Sequence, residues 1–198
     1  MRTILLATGN QNKAKEIKAM LGGAFEVVTM KDLGIDIEII EDGLSYEENA
    51  LIKVRALKPY GPGKDMIIMG DDSGLSVDIL NGEPGIYSAR YAGENVTYAD
   101  NNKKLLKVMA EVPKEKRGAA FITAIAMILP DGRELTCQGL VRGMIALDYC
   151  GEEGFGYDPL FIHEETGRCF GEMTNEEKNK ISHRAVAVAK AKELLLNN

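Results

Sequence analysis

Six stretches of the chain have the apolar pattern of β-strands. Residues 4–7 and 66–69 are short, continuous apolar runs, whereas Leu75, Val77 and Ile79 alternate with polar residues and predict a half-buried strand. Asp131-Gly132 separates the last two stretches and predicts a hairpin. The predicted strands are residues 4–7, 25–30, 66–69, 75–79, 119–129 and 134–145.

Helices are predicted from apolar spacing and from capping residues. Over residues 13–21 the apolar side chains share one face, and Gly22-Gly23 ends the helix. Ser45 with Glu48, and Thr174 with Glu177, have the spacing of capping boxes. The other predicted helices run from Ser45 to about residue 57, from Thr97 to residue 109, and from Ser182 through Ala185, Val186, Ala189 and Leu194. The predicted chain break after the second helix consists of Pro59, Gly61, Pro62 and Gly63.

The order of these elements predicts the fold class. Strands and helices alternate early, and a long hairpin lies in the middle of the chain, which is typical of an α/β fold with a mixed sheet. Neither a repeat nor a long linker interrupts the sequence, so we expect residues 1–198 to form a single domain.

Composition narrows the function classes. The 198 residues include 24 Lys and Arg against 30 Asp and Glu, a net charge of −6, which argues against a general nucleic-acid or membrane-surface binder. One small phosphorylated ligand needs only a local cluster of donors. Cys137, Cys150 and Cys169 form no CxxC pair and, with two histidines, no convincing zinc site. Without a signal peptide or membrane span, we expect a cytoplasmic protein.

The first polar motif follows the first predicted strand. N–H groups at a helix start, the helix dipole and a lysine together favour an anion. The alternative is an Asn-rich turn that only caps the helix, and for this motif alone it is the commoner one. The motif consists of Thr8, Gly9, Asn10, Gln11, Asn12 and Lys13.

The second motif is Asp71-Asp72-Ser73-Gly74. It follows residues 66–69, so we expect both carboxylates at the carboxyl end of a strand, where open α/β sheets bind ligands. Mg²⁺ takes carboxylate oxygens together with substrate phosphates. The alternative is a solvated polar turn. A further ligand could come from an acidic run in which spacing alone selects no member: Glu38, Glu41, Asp42, Glu47 and Glu48.

Two later motifs have the chemistry of nucleotide recognition. Residues 151–159 surround Phe155 and Tyr157 with glycines and a proline, which predicts a loop that presents flat rings for stacking on a nucleobase. The alternative is a loop anchored by core aromatics. Lys178, His183 and Arg184 form a donor-rich set, although a lone histidine at a helix start is more often structural and such a lysine more often a solvated charge. Together the four motifs indicate a nucleotide-handling enzyme.

Read together, these motifs resemble the inosine/xanthosine triphosphate pyrophosphatase family. The resemblance covers about residues 3–190 in the family's order. One small departure is Gly171-Glu172-Met173, where Ala-Glu-Met is expected. The matching segments are Ala7-Thr8-Gly9-Asn10 with Lys13 and Glu16, Ser45-Tyr46-Glu47-Glu48-Asn49-Ala50 with Lys53, residues 71–77 and 82–91, Arg117 with Phe121, Gly154-Phe155-Gly156-Tyr157-Asp158-Pro159 with Phe161, and Lys178 with Ser182-His183-Arg184.

The resemblance implies a fold, a reaction and an assembly. It implies an elongated mixed sheet flanked by helices, with two lobes around an active-site cleft, and usually a homodimer. The reaction is Mg²⁺-dependent hydrolysis of the non-standard purine nucleoside triphosphates ITP, dITP and XTP to the monophosphate and pyrophosphate. Three alternatives from the sequence are a Maf-like pyrophosphatase of dTTP, UTP or modified pyrimidine nucleotides, a nucleotide sensor without turnover, and, least favoured, an RNA-binding module.

Residue roles also follow from the resemblance. Asp72 is implied as the general base, and Glu41 and Asp72 as metal carboxylates, with Asp71 as a further candidate. The residues implied to hold the triphosphate are Thr8, Gly9, Asn10, Gln11, Asn12, Lys13 and Ser73. The residues implied to surround the sugar and base are Phe155, Gly156, Tyr157, Asp158, Lys178, His183 and Arg184.

Overall fold

The structure is a computed structural model that describes residues 2–61 and 66–197. Pro62 and Gly63 of the predicted chain break lie outside these residues, whereas Pro59 lies in a 3-10 turn, Lys58–Tyr60, that Gly61 follows. Chain contacts divide the protein into two compact units. Unit 1 comprises Met1–Asp72, Thr123–Gly139 and Arg184–Asn198, and unit 2 comprises Ser73–Ile122 and Leu140–His183. The single-domain assignment of residues 1–198 stays a prediction.

The described strands form a mixed sheet, which confirms the predicted α/β class. Their order is β2-β1-β3-β4-β5-β6. β1 runs parallel to β2 and β3, whereas β5 and β6 are antiparallel. None of the described helices is long and apolar enough to cross a membrane. The elements are β1 (Thr3–Leu6), α1 (Gln11–Leu21), β2 (Glu26–Thr29), α2 (Tyr46–Ala56), β3 (Met66–Val77), α3 (Tyr98–Val108), β4 (Gly118–Ile128), β5 (Glu134–Ile145), β6 (Phe161–His163), α4 (Asn175–Ile181) and α5 (His183–Leu196).

Capping side chains set the helix starts. Asn10 caps α1, which therefore begins two residues before the predicted start. Ser45 caps α2 by accepting a 3.1 Å hydrogen bond from the Glu48 N–H, as predicted. The Glu48 carboxylate accepts from the Leu44 N–H instead of completing the box at Ser45. The box of Thr174 with Glu177 is complete.

β3 corrects the prediction of two short strands separated by an acidic turn. Met66–Val77 is one strand of 12 residues, so Asp71 and Asp72 lie within it and not at its end. Gly70 and Gly74 suggested a turn because glycine usually interrupts strands. The Asp71 and Asp72 side chains between them are buried in the sheet, where charged partners accompany them. Ile79 lies beyond the strand, in a 3-10 turn, and is exposed.

The strands of unit 1 are covered on both faces. Ile4 and Leu6 pack with Ile17 of α1 and Val188 of α5 in one apolar cluster. Leu5 points to the opposite face, into a second cluster that includes Ala50 and Val54 of α2. This alternation follows from the two-residue period of a strand. Burial on both faces explains why these strands are continuous apolar runs.

The buried face of α5 differs from the prediction. Ala187, Val188, Ala191 and Leu195 are buried, whereas Ala189 is exposed. The helix has alanine, valine or leucine on most of its circumference, so apolar spacing alone did not distinguish the two faces. Arg184 lies one turn before Ala187 and Val188, at the start of the buried stripe, which brings its side chain inside unit 1.

Arg117 organises the core of unit 2. Its side chain is buried, and burial lowers its pKa. The guanidinium donates to the carbonyls of Ile145, Ala146, Met109 and Val112, at 2.9, 2.8, 2.6 and 3.1 Å respectively. One side chain therefore joins the segment after α3 to the end of β5.

Replacing Arg117 with methionine should strongly destabilise the protein. Methionine fills similar space but leaves four carbonyl groups without their donor, and each unsatisfied buried group costs about 1–3 kcal/mol. We expect urea denaturation to show a loss of about 3 kcal/mol or more. As a control, Arg55→Met removes an exposed pair with Glu134 and should cost less than about 1 kcal/mol. Equal losses in the two variants would contradict this role for Arg117.

Candidate functional site

The two adjacent aspartates of β3 point to opposite faces of the sheet. Ile67 and Met69 belong to the cluster shared with α1 and α5, whereas Ile68 belongs to the cluster shared with α2. Because side chains alternate along a strand, Asp71 faces the α1 and α5 side and Asp72 faces the α2 side. The like charges are therefore separated, and each aspartate has its own cations.

On the α2 face, Lys53 holds two carboxylates. Its ammonium lies 3.1 Å from Asp72 Oδ1 and 2.7 Å from Glu41 Oε2, and it donates to the Asp71 carbonyl at 3.0 Å. Asn49 donates to Asp72 Oδ2 at 3.3 Å. Burial opposes the charge of Lys53, but Asp72, Asp71 and Glu41 together raise its pKa. Asp72 is thus held by both of its oxygens.

On the opposite face, Lys13 and Arg184 neutralise Asp71. Asp71 Oδ2 lies 3.1 Å from the Lys13 ammonium and 3.5 Å from Arg184 Nε. Arg184 also pairs with the buried carboxylate of Glu16. Burial alone would raise the pKa of Asp71, but Lys13, Arg184 and Lys53 lower it to about 2. Burial lowers the pKa of Lys13, although Asp71 opposes that effect.

The loop before α1 is more tightly capped than the sequence indicated. Asn10 Oδ1 accepts hydrogen bonds from the N–H groups of Asn12 and Lys13 at 3.0 and 3.2 Å, and Thr8 Oγ1 accepts from the Asn10 N–H at 3.1 Å. The expectation that these N–H groups are open to an anion is therefore wrong. The alternative interpretation, an Asn-rich turn that caps the helix, therefore describes the start of α1. Lys13 is the cationic side chain of this motif.

A pocket of about 330 Å³ borders this loop within unit 1. Thr8, Gly9 and Gln11 line one side. Its size lies at the lower end of the range for small-molecule sites. The remaining lining residues are Met30, Lys31, Gly34, Ile35, Asp36 and Ile37.

The α2 face has the chemistry of a cation site. Glu41 and Asp72 share one ammonium, so this pair keeps one negative charge in excess. In the described residues, no group of three or more His, Cys, Asp or Glu side chains is arranged to hold a metal. Mg²⁺ needs only one or two carboxylates when waters and substrate phosphates complete its shell. Glu41 and Asp72 therefore fit Mg²⁺, whereas Asp71 faces away from them.

Sequence reasoning assigned no role to three residues that the structure places around Asp72. Lys53 and Asn49 contact Asp72 directly, and the Asp72 charge acts on Tyr46. Burial, followed by that charge, raises the pKa of Tyr46. These residues are spaced i, i+3 and i+7 on α2, so they share one helix face. That spacing was visible in the sequence, although it became meaningful only once Asp72 was known to face α2.

In unit 2, Asp158 and Lys178 form a buried ion pair. Lys178 Nζ lies 2.5 Å from Asp158 Oδ2, and both side chains are 2% exposed. The same carboxylate oxygen accepts from the Phe155 N–H at 2.8 Å, and Lys178 lies 4.6 Å from the centroid of the Phe155 ring. Asn102 donates to the Gly156 carbonyl at 3.0 Å. The structure thus brings Phe155, Gly156, Asp158 and Lys178 together, and their assignment to the sugar and base stays a prediction.

The prediction that this loop presents two rings is wrong for Tyr157. Its ring is buried, and its hydroxyl donates to the Ser88 carbonyl at 2.9 Å, so Tyr157 anchors the loop in the core. Phe155 is partly exposed. The sequence could not distinguish the two rings, because both lie in the same glycine-rich loop and only Gly156 separates them.

The remaining predicted residues are distributed between the two units. Ser73 follows Asp72 in β3 and is partly exposed. His183 is buried in unit 2, where it stacks on Phe121 with ring centroids 4.6 Å apart. Arg184 belongs to unit 1, where it contacts Asp71 and Glu16. The roles of Ser73, His183 and Arg184 in substrate binding stay predictions.

Two of the three cysteines are joined in a disulfide. Cys150 and Cys169 are 19 residues apart and flank the loop that contains Phe155 and Asp158. Sequence reasoning did not predict this pair, because cysteine spacing alone does not determine which residues meet. Cys137 is free. Burial raises its pKa to about 11, so it is a poor nucleophile at neutral pH.

Breaking the pair of Asp158 and Lys178 should destabilise unit 2. Asp158→Asn leaves the Lys178 ammonium buried without its carboxylate, and removing one partner of such a pair typically costs about 3–5 kcal/mol. Lys178→Met should cost a similar amount, and the double variant should cost less than the sum. Urea denaturation of all three variants measures this coupling. Additive losses would contradict it, and the exposed pair of Arg168 and Glu177, treated in the same way, should show little coupling.

Comparisons with known proteins agree on one family. The model of the Ham1 family matches residues 4–194. A dITP/XTP pyrophosphatase of Caldanaerobacter subterraneus is 50% identical, covering 99% of this chain and 97% of that protein. The dITP/XTP pyrophosphatase of Clostridium perfringens is 44% identical, covering 98% of each.

Solved structures give the same result. The Ham1 protein of Staphylococcus aureus is 37% identical with a TM-score of 0.86, covering 99% of each chain. A HAM1 protein of Coxiella burnetii is 34% identical with a TM-score of 0.86, covering 100% of each chain. These matches span nearly the whole sequence and confirm the resemblance seen in its motifs. The chain belongs to the Ham1 family.

Proposed function

We propose that this protein hydrolyses the non-standard purine nucleoside triphosphates ITP, dITP and XTP to the monophosphate and pyrophosphate. The names of its relatives support this substrate class. The observation that carries the proposal is the arrangement around β3, where Asp72 is held by Lys53 and Asn49 while Lys13 lies on Asp71. A carboxylate fixed by both oxygens is suited to removing a proton from water.

Glu41 and Asp72 would hold Mg²⁺. This cation, when bound together with the substrate, offsets phosphate charge. Lys53 keeps both carboxylates directed to the same place, because its ammonium contacts one oxygen of each. Asn49 donates to the other oxygen of Asp72 and so orients the group. Each carboxylate oxygen has two lone pairs and can accept a further partner.

The chain's own residues account for the reaction at the α-phosphorus. Asp72 accepts a proton from the attacking water, whose oxygen forms a bond to phosphorus as the bond to the pyrophosphate oxygen breaks. Lys13 would stabilise the departing pyrophosphate, since its ammonium is buried and oriented by Asp71. The pocket beside Thr8, Gly9 and Gln11 provides space for phosphate groups.

Base selection would rest on stacking and on hydrogen-bond polarity. The Phe155 ring and the Lys178 ammonium already lie together, and Asp158 fixes both. Hypoxanthine and xanthine have a 6-oxo acceptor, whereas adenine has an amino donor at that position. Donors from Lys178, His183 and Arg184 would therefore pair with the first two bases and oppose adenine. Such a mismatch can discriminate by about 10⁴–10⁵.

Assembly and location complete the proposal. We also propose a homodimer in the cytoplasm, without nucleic-acid or membrane partners. The family resemblance supports the dimer, and the net charge of −6 argues against nucleic-acid and membrane-surface binding. Exposed apolar side chains of unit 2, such as Tyr87, Leu140 and Leu147, are compatible with a contact between copies.

A substrate panel tests the reaction. We expect ITP, dITP and XTP, with Mg²⁺, to be turned over at least about 100-fold faster than ATP in kcat/KM. The products should be the monophosphate and pyrophosphate, because attack occurs at the α-phosphorus. Ion-exchange separation of the reaction mixture over time measures the rates and identifies the products. Release of orthophosphate, or equal rates on ATP and ITP, would contradict the proposal.

Replacing Asp72 with asparagine tests the assigned base. The amide keeps the shape and the hydrogen-bonding oxygen but accepts no proton, so kcat for ITP should fall about 10²–10⁴-fold while ITP still binds. Steady-state kinetics and calorimetric titration with ITP measure the two effects. Asp131→Asn, in the exposed turn between β4 and β5, is the matched control and should leave kcat unchanged. Near-normal turnover by Asp72→Asn would refute the assignment.

A further inference from the structure

The Tyr46 hydroxyl is a buried donor without a partner. Tyr46 is the first residue of α2, and its ring packs against the cluster that includes Ala50 and Val54. The hydroxyl oxygen is buried and has no hydrogen-bond partner among residues 2–61 and 66–197. Leaving such a group unpaired costs free energy, whereas phenylalanine would fill the same space without that cost. The hydroxyl therefore requires an explanation.

The helix face that carries Tyr46 is directed at Asp72. Lys53 contacts Asp72 Oδ1, and Asn49 contacts Asp72 Oδ2. Tyr46, Asn49 and Lys53 are spaced i, i+3 and i+7, so they lie in one row along α2. Tyr46 also lies within the electrostatic reach of Asp72. Two members of the row bind Asp72, and the third carries the unpartnered hydroxyl on the same helix face.

We propose that the Tyr46 hydroxyl is a positioning group that donates a hydrogen bond to the water that Asp72 activates. This inference rests on the proposed function. The water donates one hydrogen to Asp72 and accepts the Tyr46 hydrogen on one lone pair, which leaves its other lone pair for phosphorus. As the oxygen–phosphorus bond forms and the bond to pyrophosphate breaks, the proton passes to Asp72. Tyr46 keeps its own proton throughout.

The test is Tyr46→Phe, measured by single-turnover hydrolysis of ITP with enzyme in excess. We expect the maximal rate constant to fall about tenfold, with the half-saturating enzyme concentration unchanged within about twofold. The melting temperature of the nucleotide-free variant should rise by about 2 °C or more, because the unpaired hydroxyl is removed. A merely structural role would not combine slower chemistry with higher stability. Tyr60→Phe, at an exposed tyrosine of unit 1, is the control and should change neither quantity.

The outcomes separate this inference from the proposed function. If wild-type protein releases pyrophosphate from ITP and Tyr46→Phe has the wild-type rate, the role of Tyr46 is overturned while the function stands. A fall in both rate and melting temperature would show that the hydroxyl supports the fold, and would also overturn the inference. If wild-type protein releases no pyrophosphate, the proposed function fails and the inference fails with it.

Discussion

The structure depends on neutralising two carboxylates within one buried strand. Charged groups are costly to bury unless cations and hydrogen bonds accompany them. Lys13 of α1 and Arg184 of α5 reach Asp71 from one face of β3, and Lys53 of α2 reaches Asp72 from the other. Three helices are thereby tied to a single strand. The same contacts that stabilise the strand in the core also fix the Asp72 carboxylate, the base proposed above.

Much of the fold could be predicted from local sequence patterns, because helix caps and turns depend on residues that are close together in the chain. The caps at Ser45, Thr97 and Thr174 and the hairpin at Asp131-Gly132 agree with the structure. The full length of β3 could not be predicted in this way, because polar residues between two glycines are usually solvated. Only cations from distant parts of the chain make these residues part of a buried strand. The face of α5 was also ambiguous, since apolar residues cover most of its surface.

The sequence named candidate site residues but not their geometry. Family motifs pointed to Asp72, Lys13, Asp158 and Lys178, but not to the ion pair that joins the last two. Pattern alone did not reveal that Tyr157 is an anchor, because a loop sequence does not tell which of two rings enters the core. In the loop itself, Gly154 has a φ of 79°, and a Cβ there would lie 2.2 Å from Asp158 Oδ2. A glycine at this point allows the carboxylate to approach the backbone that it orders.

The bond between Cys150 and Cys169 also acts on the unfolded chain. The two positions are separated by 19 in the sequence, and the cross-link closes a ring that persists after the rest of unit 2 has unfolded. In the chain-entropy view, such a ring removes about 3 kcal/mol of conformational freedom from the unfolded state. Phe155 and Asp158 lie inside it, so they begin refolding from a restricted ensemble. A dithiol that opens the ring would restore that freedom, although the hydrogen bonds of Asp158 would remain.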